Sequence, residues 1–96
     1  MNVGVCKVRL RLPGNRSLKD KRRVIKSITA RVAGKFAVSI AEVDDNDQWQ
    51  LATLGISYVS NDHRHANEVL SRIVDFIVGG RFEVEVLDCD IEILAI

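Results

Sequence analysis

A dense run of basic residues, Arg9–Ile28, is the part of the sequence best suited to chemistry, and that chemistry is phosphate binding. Residues 1–36 contain eleven Lys and Arg against one Asp, a formal charge of +10. Residues 37–96 contain three Arg against twelve Asp and Glu, a formal charge of −9. A concentrated positive element can bind phosphate groups even though the net charge of the chain is only +1.

Most of these cations fall on a helix that the apolar spacing predicts over about Leu18–Ala33. Ser17 suits the N-cap position, Asp20 stands where a capping box has its acid, and Gly34 is expected to end the helix. On a helical wheel one basic stripe occupies an arc of about 100°; it consists of Lys19, Arg22, Arg23 and Lys26. Since Asp20 is the only acid of the helix, pairing within the helix cannot neutralise the stripe. A solvated face, an RNA-binding face and a face for an acidic protein surface are the three interpretations.

A second set of cations, Lys7, Arg9 and Arg11, alternates along the predicted strand Val3–Leu12. These side chains should point away from the apolar side of the strand, onto an open sheet face. The last strand offers acids at alternate positions, namely Asp88, Asp90 and Glu92. A self-neutralised ladder of charges across the two strands, a phosphate-binding face and a dimer surface are the three interpretations.

Two further residues stand out by type and position. Lys21 lies inside the apolar arc of the helix, so its stem should pack while its ammonium group reaches the rim, although a ligand-facing role stays open. Trp49, the lone tryptophan, follows the polar turn Asp44–Asp47. It is expected to cover the edge of the core, with an exposed stacking platform or partner-binding anchor as the alternative.

The remaining candidates carry weaker signals. The loop Gly14–Ser17, with Arg16, leads into a helix N-terminus and could hold a small anion, or it could be only a turn and a cap. The acids of the turn Asp44–Asp47 lack the offsets of a calcium loop, so no metal is expected. Cys6 and Cys89 are both expected to be buried. No nucleophile lies beside a base in any recognisable pattern, so we expect neither enzymatic activity nor a cofactor.

The elements that must position these residues follow one another as β-α-β-β-α-β. This order predicts a single α+β domain, residues 1–96, with the ferredoxin-like fold: a four-stranded antiparallel sheet with two helices on one face. The first and third strands should be central, and the fourth should pair with the first. Besides the strand and helix above, the predicted elements are Phe36–Val43, Gln50–Ser60, a helix capped by Asn61 or Asp62 that runs to about Val78, and Phe82–Leu94.

The overall composition excludes several classes of protein. The chain is 47% hydrophobic and 28% charged, which is typical of a globular domain and argues against disorder. No apolar run approaches the roughly 20 residues of a membrane helix. No secretion signal is visible at the N-terminus, so a cytoplasmic location is expected.

Three stretches of the sequence resemble the YlxP-like family, a small bacterial family with a domain of unknown function. They are RLPGNRSLKDKRRVIKSI (Arg11–Ile28), VSIAEVDDNDQWQLATLGISYVSND (Val38–Asp62) and LDCDIEIL (Leu87–Leu94). The resemblance implies a ferredoxin-like domain and a genomic association with translation genes, including initiation and ribosome-assembly factors. It implies no known activity, cofactor or catalytic residue. The residues matching its motifs are Arg16, Ser17, Leu18, Lys19, Lys21, Arg22 and Arg23, with Glu42, Asp44, Asp47, Trp49 and Gln50.

The leading hypothesis is a non-catalytic accessory protein that binds structured RNA or a ribosomal subunit in ribosome assembly or translation. The residues expected to contact RNA are Arg16, Lys19, Lys21, Arg22, Arg23 and Lys26, with Lys7, Arg9 and Arg11 nearby. A protein-interaction or self-associating module, such as a homodimer, is the first alternative. A small-anion-binding domain at the loop Gly14–Ser17 is the second.

Overall fold

The computed structural model describes residues 1–96 and has the predicted order of elements. These are β1 (Asn2–Arg11), α1 (Leu18–Lys35), β2 (Ser39–Asp44), β3 (Leu51–Ser60), α2 (His63–Gly79) and β4 (Glu85–Ala95). The sheet has the strand order β2-β3-β1-β4 with every neighbouring pair antiparallel. The predicted α+β ferredoxin-like arrangement is therefore confirmed, with β1 and β3 in the centre and β4 beside β1.

The two faces of β1 show how the alternating sequence sorts the sheet. Cys6, Val8 and Leu10 are buried against the helices, whereas Lys7 and Arg9, which alternate with them, are exposed. Helix α1 contributes Ile25, Ile28 and Val32 to the same core, and α2 contributes Val69, Leu70, Ile73 and Ile77. Because both helices pack on this side, the cations of β1 lie on the opposite, uncovered face of the sheet.

Helix α1 begins as predicted but ends two residues later. Ser17 is the N-cap, and its Oγ accepts a hydrogen bond from the Asp20 backbone N–H at 3.1 Å. The helix continues through Gly34 to Lys35, so the prediction that Gly34 ends it is wrong. Lys35 Nζ lies 4.9 Å from the centre of the Phe76 ring, and this contact offsets much of the roughly 1 kcal/mol that a glycine costs within a helix.

Strands β2 and β4 each start three residues later than predicted, at Ser39 and Glu85. The reason is an aromatic cluster: the ring of Phe76 lies 5.8 Å from that of Phe36 and 6.3 Å from that of Phe82, both edge to face. The two segments before the strands are therefore held against α2 rather than in the sheet. Neither helix is long and apolar enough to cross a membrane.

The two cysteines differ in burial. Cys6 lies in the core, as expected, but Cys89 is exposed, so the expectation that both are buried is wrong for Cys89. The two strands explain the difference, because β1 is central in the sheet whereas β4 is an edge strand that the helices cover less completely. Burial, and then the neighbouring Cys89 and Asp90, raise the pKa of the Cys6 thiol to about 11.

Candidate nucleic-acid interface

The basic stripe of α1 is exposed along its whole length. It consists of Lys19, Arg22, Arg23 and Lys26, and each of these side chains faces solvent. The protein has three ion pairs, made by Arg9, Arg11 and Lys21, and none of them includes a residue of the stripe. Arg16, just before the helix, is exposed as well and its guanidinium is in no ion pair. The stripe is therefore a surface of uncompensated positive charge on a rigid helix.

The cations of β1 are held differently. Arg9 lies 3.5 Å from Asp88 and Arg11 lies 3.0 Å from Glu85, atom to atom across the β1–β4 pair. Lys7 stands opposite Asp90 in the register but makes no ion pair. The ladder interpretation is thus confirmed for two of the three cations, which are largely neutralised by the neighbouring strand.

The acids that form this ladder differ from the predicted set at one position. Glu92 stands opposite Val5 rather than a cation, and Glu85 takes its place as a partner. The register shifts between Arg9 and Leu10, where Leu87 is left over as a bulged residue of β4. Such a bulge inserts one extra residue into one strand and changes which side chains stand opposite each other.

Lys21 is the main correction to the predicted interface. Its side chain is only 1% exposed, and its ammonium group lies inside the protein rather than at the rim. Nζ donates to the backbone carbonyls of Asp45 at 2.6 Å and Gln48 at 2.8 Å, and lies 2.7 Å from Glu42 Oε2. A lysine buried in this way cannot contact a phosphate, so Lys21 is removed from the RNA-binding set.

The contacts of Lys21 fasten the β2–β3 turn onto α1. The same turn is held from within, because Thr53 Oγ1 donates to Asp45 Oδ2 at 2.7 Å and Asp45 has a positive φ of 60°. An aspartate tolerates this left-handed conformation better than most residues do. The sequence analysis did not identify Glu42 as the partly buried partner of Lys21. The signal for it was a lysine within an apolar arc, which needs an acid within reach.

Trp49, in this fastened turn, is 54% exposed. The expectation that it covers the edge of the core is therefore wrong, and the alternative of an exposed aromatic side chain is what the structure has. The turn is joined to α1 through the hydrogen bonds of Lys21 to the carbonyls of Asp45 and Gln48, and not through the indole.

The loop Gly14–Ser17, a predicted anion site, is occupied by hydrogen bonds within the chain. Ser17 Oγ already accepts the Asp20 N–H, and Asp20 Oδ2 lies 3.5 Å from the Arg16 backbone nitrogen that donates to it. An anion here would compete with a carboxylate that belongs to the chain. No group of three His, Cys, Asp or Glu side chains is arranged to hold a metal ion.

Comparison with known proteins agrees with the fold and with the family resemblance. The uncharacterized protein YlxP of Bacillus subtilis (strain 168) is 44% identical over 61 residues, which cover 64% of this chain and 66% of that protein. The de novo designed protein Foldit4 superposes with a TM-score of 0.54 over 97% of both chains at 18% identity, a likeness of fold alone. The profile of a family described as "Protein of unknown function (DUF503)" matches residues 3–91. Because that match spans nearly the whole chain, this protein belongs to the DUF503 family.

Proposed function

We propose that this protein is a cytoplasmic, non-catalytic accessory protein that binds structured RNA through the basic stripe of α1, in ribosome assembly or translation. One observation carries the proposal: the cations of the stripe have no acidic partner, whereas Arg9 and Arg11 on β1 each have one. Cations without partners in the protein are the ones free to bind phosphates, which dominate the affinity of proteins for nucleic acids.

The spacing of the stripe argues against a purely structural helix. Lys19 and Arg23 are four residues apart, as are Arg22 and Lys26, while Lys19 and Arg22 are three apart. Each such like-charge pair destabilises a helix by roughly 0.2–0.5 kcal/mol. Phosphate groups of a bound RNA would relieve this repulsion, so the arrangement favours a polyanionic partner.

The rest of the surface indicates recognition by shape and charge. Many ferredoxin-like RNA-binding domains stack bases on aromatic side chains of the open sheet face. Here β1 presents Val5, Lys7, Arg9 and Arg11 on that face, and its neighbouring strands add no aromatic side chain there. Phosphate contacts from α1 would therefore fix the position of the protein on RNA with little reading of sequence.

The first test is binding to isolated small ribosomal subunits across a salt series, with two matched double variants. Arg22→Gln/Arg23→Gln removes two cations from the stripe, and Arg9→Gln/Arg11→Gln removes two from β1. The helix variant should bind about 100-fold more weakly, because two charged contacts of about 1.5 kcal/mol each are lost. The dependence of log K on log salt should also become shallower by about two.

The strand variant should bind within about twofold of the wild type, since its cations are already paired. Equal losses in both variants would mean that affinity follows net charge, and the assignment to α1 would fail. If the protein binds no RNA saturably even at low salt, the proposed function itself is wrong.

Self-association through the open sheet face is the second candidate. Val43, Val59 and Leu94 are exposed, and a groove of about 740 Å³ crosses the face. Gly55 leaves room for the side chain of Val43 beside the groove, because a Cβ at Gly55 would lie only 2.8 Å from Val43 Cγ1. Lys7 on β1 and Asp90 on β4 belong to no ion pair, so each is available to the other in a second copy related by a two-fold axis along the strands.

Sedimentation of the protein without RNA tests this candidate. A dimer should dissociate in Val59→Lys and persist in Val78→Lys, because Val78 is equally exposed but lies on α2, away from the sheet face. A monomer at all concentrations and salt conditions would exclude it.

A further inference from the structure

Trp49 is exposed to solvent, although the backbone on both sides of it is held in place. Its side chain is 54% exposed, yet the residues on both sides of it are fixed by hydrogen bonds to other parts of the chain. A large aromatic ring left in water gives up the stabilisation that burial would provide. The fold therefore presents this ring to solvent rather than using it in the core.

On the N-terminal side of Trp49, the backbone is attached to α1. The carbonyl of Gln48 accepts a hydrogen bond of 2.8 Å from the buried Lys21, and Lys21 also binds Asp45 and Glu42. Lys21 thus fixes the backbone just before Trp49 to the helix that carries the basic stripe.

On the C-terminal side of Trp49, Gln50 is attached to the loop before α1. Gln50 Nε2 donates to the carbonyl of Asn15 at 3.1 Å and lies 3.4 Å from that of Pro13, while the Gln50 carbonyl accepts from the Leu12 N–H at 2.8 Å. These contacts place the backbone of Trp49 beside the loop that contains Arg16. The backbone of Trp49, the loop with Arg16 and the N-terminus of α1 therefore lie at the same end of the molecule.

We propose that Trp49 is a stacking platform for an unpaired base of the RNA whose phosphates lie along the basic stripe of α1. This inference rests on the proposed function and adds the class of ligand: a single-stranded nucleotide flanking a structured region. Aromatic side chains beside cations are the common means of holding unstacked bases, because every base has a face that can stack. A Trp fixed before binding loses little conformational freedom when the base arrives.

The acids of the turn define how the nucleotide must lie. Asp45 is engaged by Thr53 and Glu42 by Lys21, which leaves Asp47 and one oxygen of Asp44 facing solvent. These carboxylates repel phosphate, so the sugar–phosphate chain leaves toward Arg16 and only the base covers the indole. Neutralising the turn with Asp47→Asn should therefore strengthen binding of tailed RNA without changing its dependence on the tail.

The test uses the fact that Trp49 is the only tryptophan, so fluorescence excited selectively at tryptophan reports on this site alone. The full-length protein is titrated with three RNA hairpins: one with a blunt end, one with a single-stranded tail, and one with an abasic tail of equal length. The tailed hairpin should bind about tenfold more tightly than the other two and should quench the fluorescence. Trp49→Ala should remove the advantage of the tail, whereas Trp49→Phe should retain part of it.

Val78→Ala serves as the control, because Val78 is also more than half exposed but lies on α2. If all three hairpins bind equally in wild type and Trp49→Ala, the stacking platform is wrong while the proposed function stands. If no hairpin binds, both are wrong. Quenching by an arginine-rich peptide but not by tailed RNA would assign the indole to a cationic protein partner and would also overturn the inference.

Discussion

The cations of β1 and those of α1 come from one continuous part of the sequence, yet the fold gives them different surroundings. Arg9 and Arg11 stand next to β4, and each has an acid of that strand within 3.5 Å. Arg22 and Arg23 lie on a helix flank that no acidic element approaches within ion-pair distance. Composition alone would assign the same role to all of them, whereas the neighbouring element decides which cations are available to a ligand.

Lys21 sharpens the comparison from within the helix. It is adjacent in sequence to Arg22, but its side chain is 1% exposed and binds two carbonyls and a carboxylate. One residue along a helix corresponds to a rotation of about 100°, which is enough to change a solvent-facing cation into a buried one. The basic run therefore has two roles: the stripe provides surface charge, and Lys21 holds the β2–β3 turn.

The largest expected effect is on stability, and Lys21→Ala produces it. The substitution leaves Glu42, whose side chain is 17% exposed, without its cation, and two carbonyls without a donor. Removing one partner of a buried ion pair costs about 3–5 kcal/mol. Urea denaturation should show this loss in the free energy of unfolding, whereas Arg22→Ala should change it by about 0.5 kcal/mol or less.

A double variant separates the ion pair from general damage to the helix. Lys21→Met/Glu42→Gln removes both charges and keeps the volumes, so it should regain part of the stability lost in Lys21→Ala. A loss below about 1 kcal/mol in Lys21→Ala would contradict the assigned role of the ammonium group.

The fold was predictable from the sequence because its signals are local and repeat. Alternation in β1, the apolar arcs of both helices and the caps Ser17 and Asp62 all lie within a few residues of what they determine. The boundaries of β2 and β4 were predicted too early, since the contacts among Phe36, Phe76 and Phe82 join residues that are far apart in sequence.

The site was predictable only in part, for the same physical reason. The exposed stripe of α1 follows from helical periodicity, which is a local property. The burial of Lys21 depends on carbonyls 24 and 27 residues away, and such long-range contacts leave no trace in helical periodicity. The bulge at Leu87, which brings Glu85 rather than Val86 opposite Arg11, likewise depends on the pairing of two strands at opposite ends of the chain.

An intermediate effect is expected when the cations of β1 are released from their acids. Asp88→Asn/Glu85→Gln removes the partners of Arg9 and Arg11 and leaves both guanidinium groups free. Because these ion pairs are about half exposed, their loss should cost no more than about 1 kcal/mol of stability. RNA binding should become severalfold tighter, and its dependence on salt should become steeper by up to about two.

A matched substitution checks that the gain comes from the released arginines. Glu68→Gln/Asp75→Asn neutralises two exposed acids of α2 that belong to no ion pair, so net charge changes equally. If both double variants gain the same affinity, the pairing of Arg9 and Arg11 has no effect of its own and the comparison between β1 and α1 fails.

The smallest effect concerns the helix-facing side of the same two strands, where Cys6 and Cys89 differ. Burial raises the pKa of the Cys6 thiol from about 9 to about 11, so the folded protein holds this thiol neutral after an unfolded chain would have ionised it. The stabilisation due to Cys6 is therefore fully present below pH 9 and is lost as the pH rises toward 11. Cys6→Val should remove this part of the pH dependence of the melting temperature.

Thiol labelling near neutral pH checks the same difference directly. Cys89 should react quickly in the folded protein, and Cys6 should react only at the rate of unfolding. In Cys89→Ser no rapidly reacting thiol should remain. Rapid labelling of Cys6 in folded Cys89→Ser would show that the β1–β4 edge opens readily, and the ion pairs of Arg9 and Arg11 across that edge would then be too transient to withhold those cations from RNA.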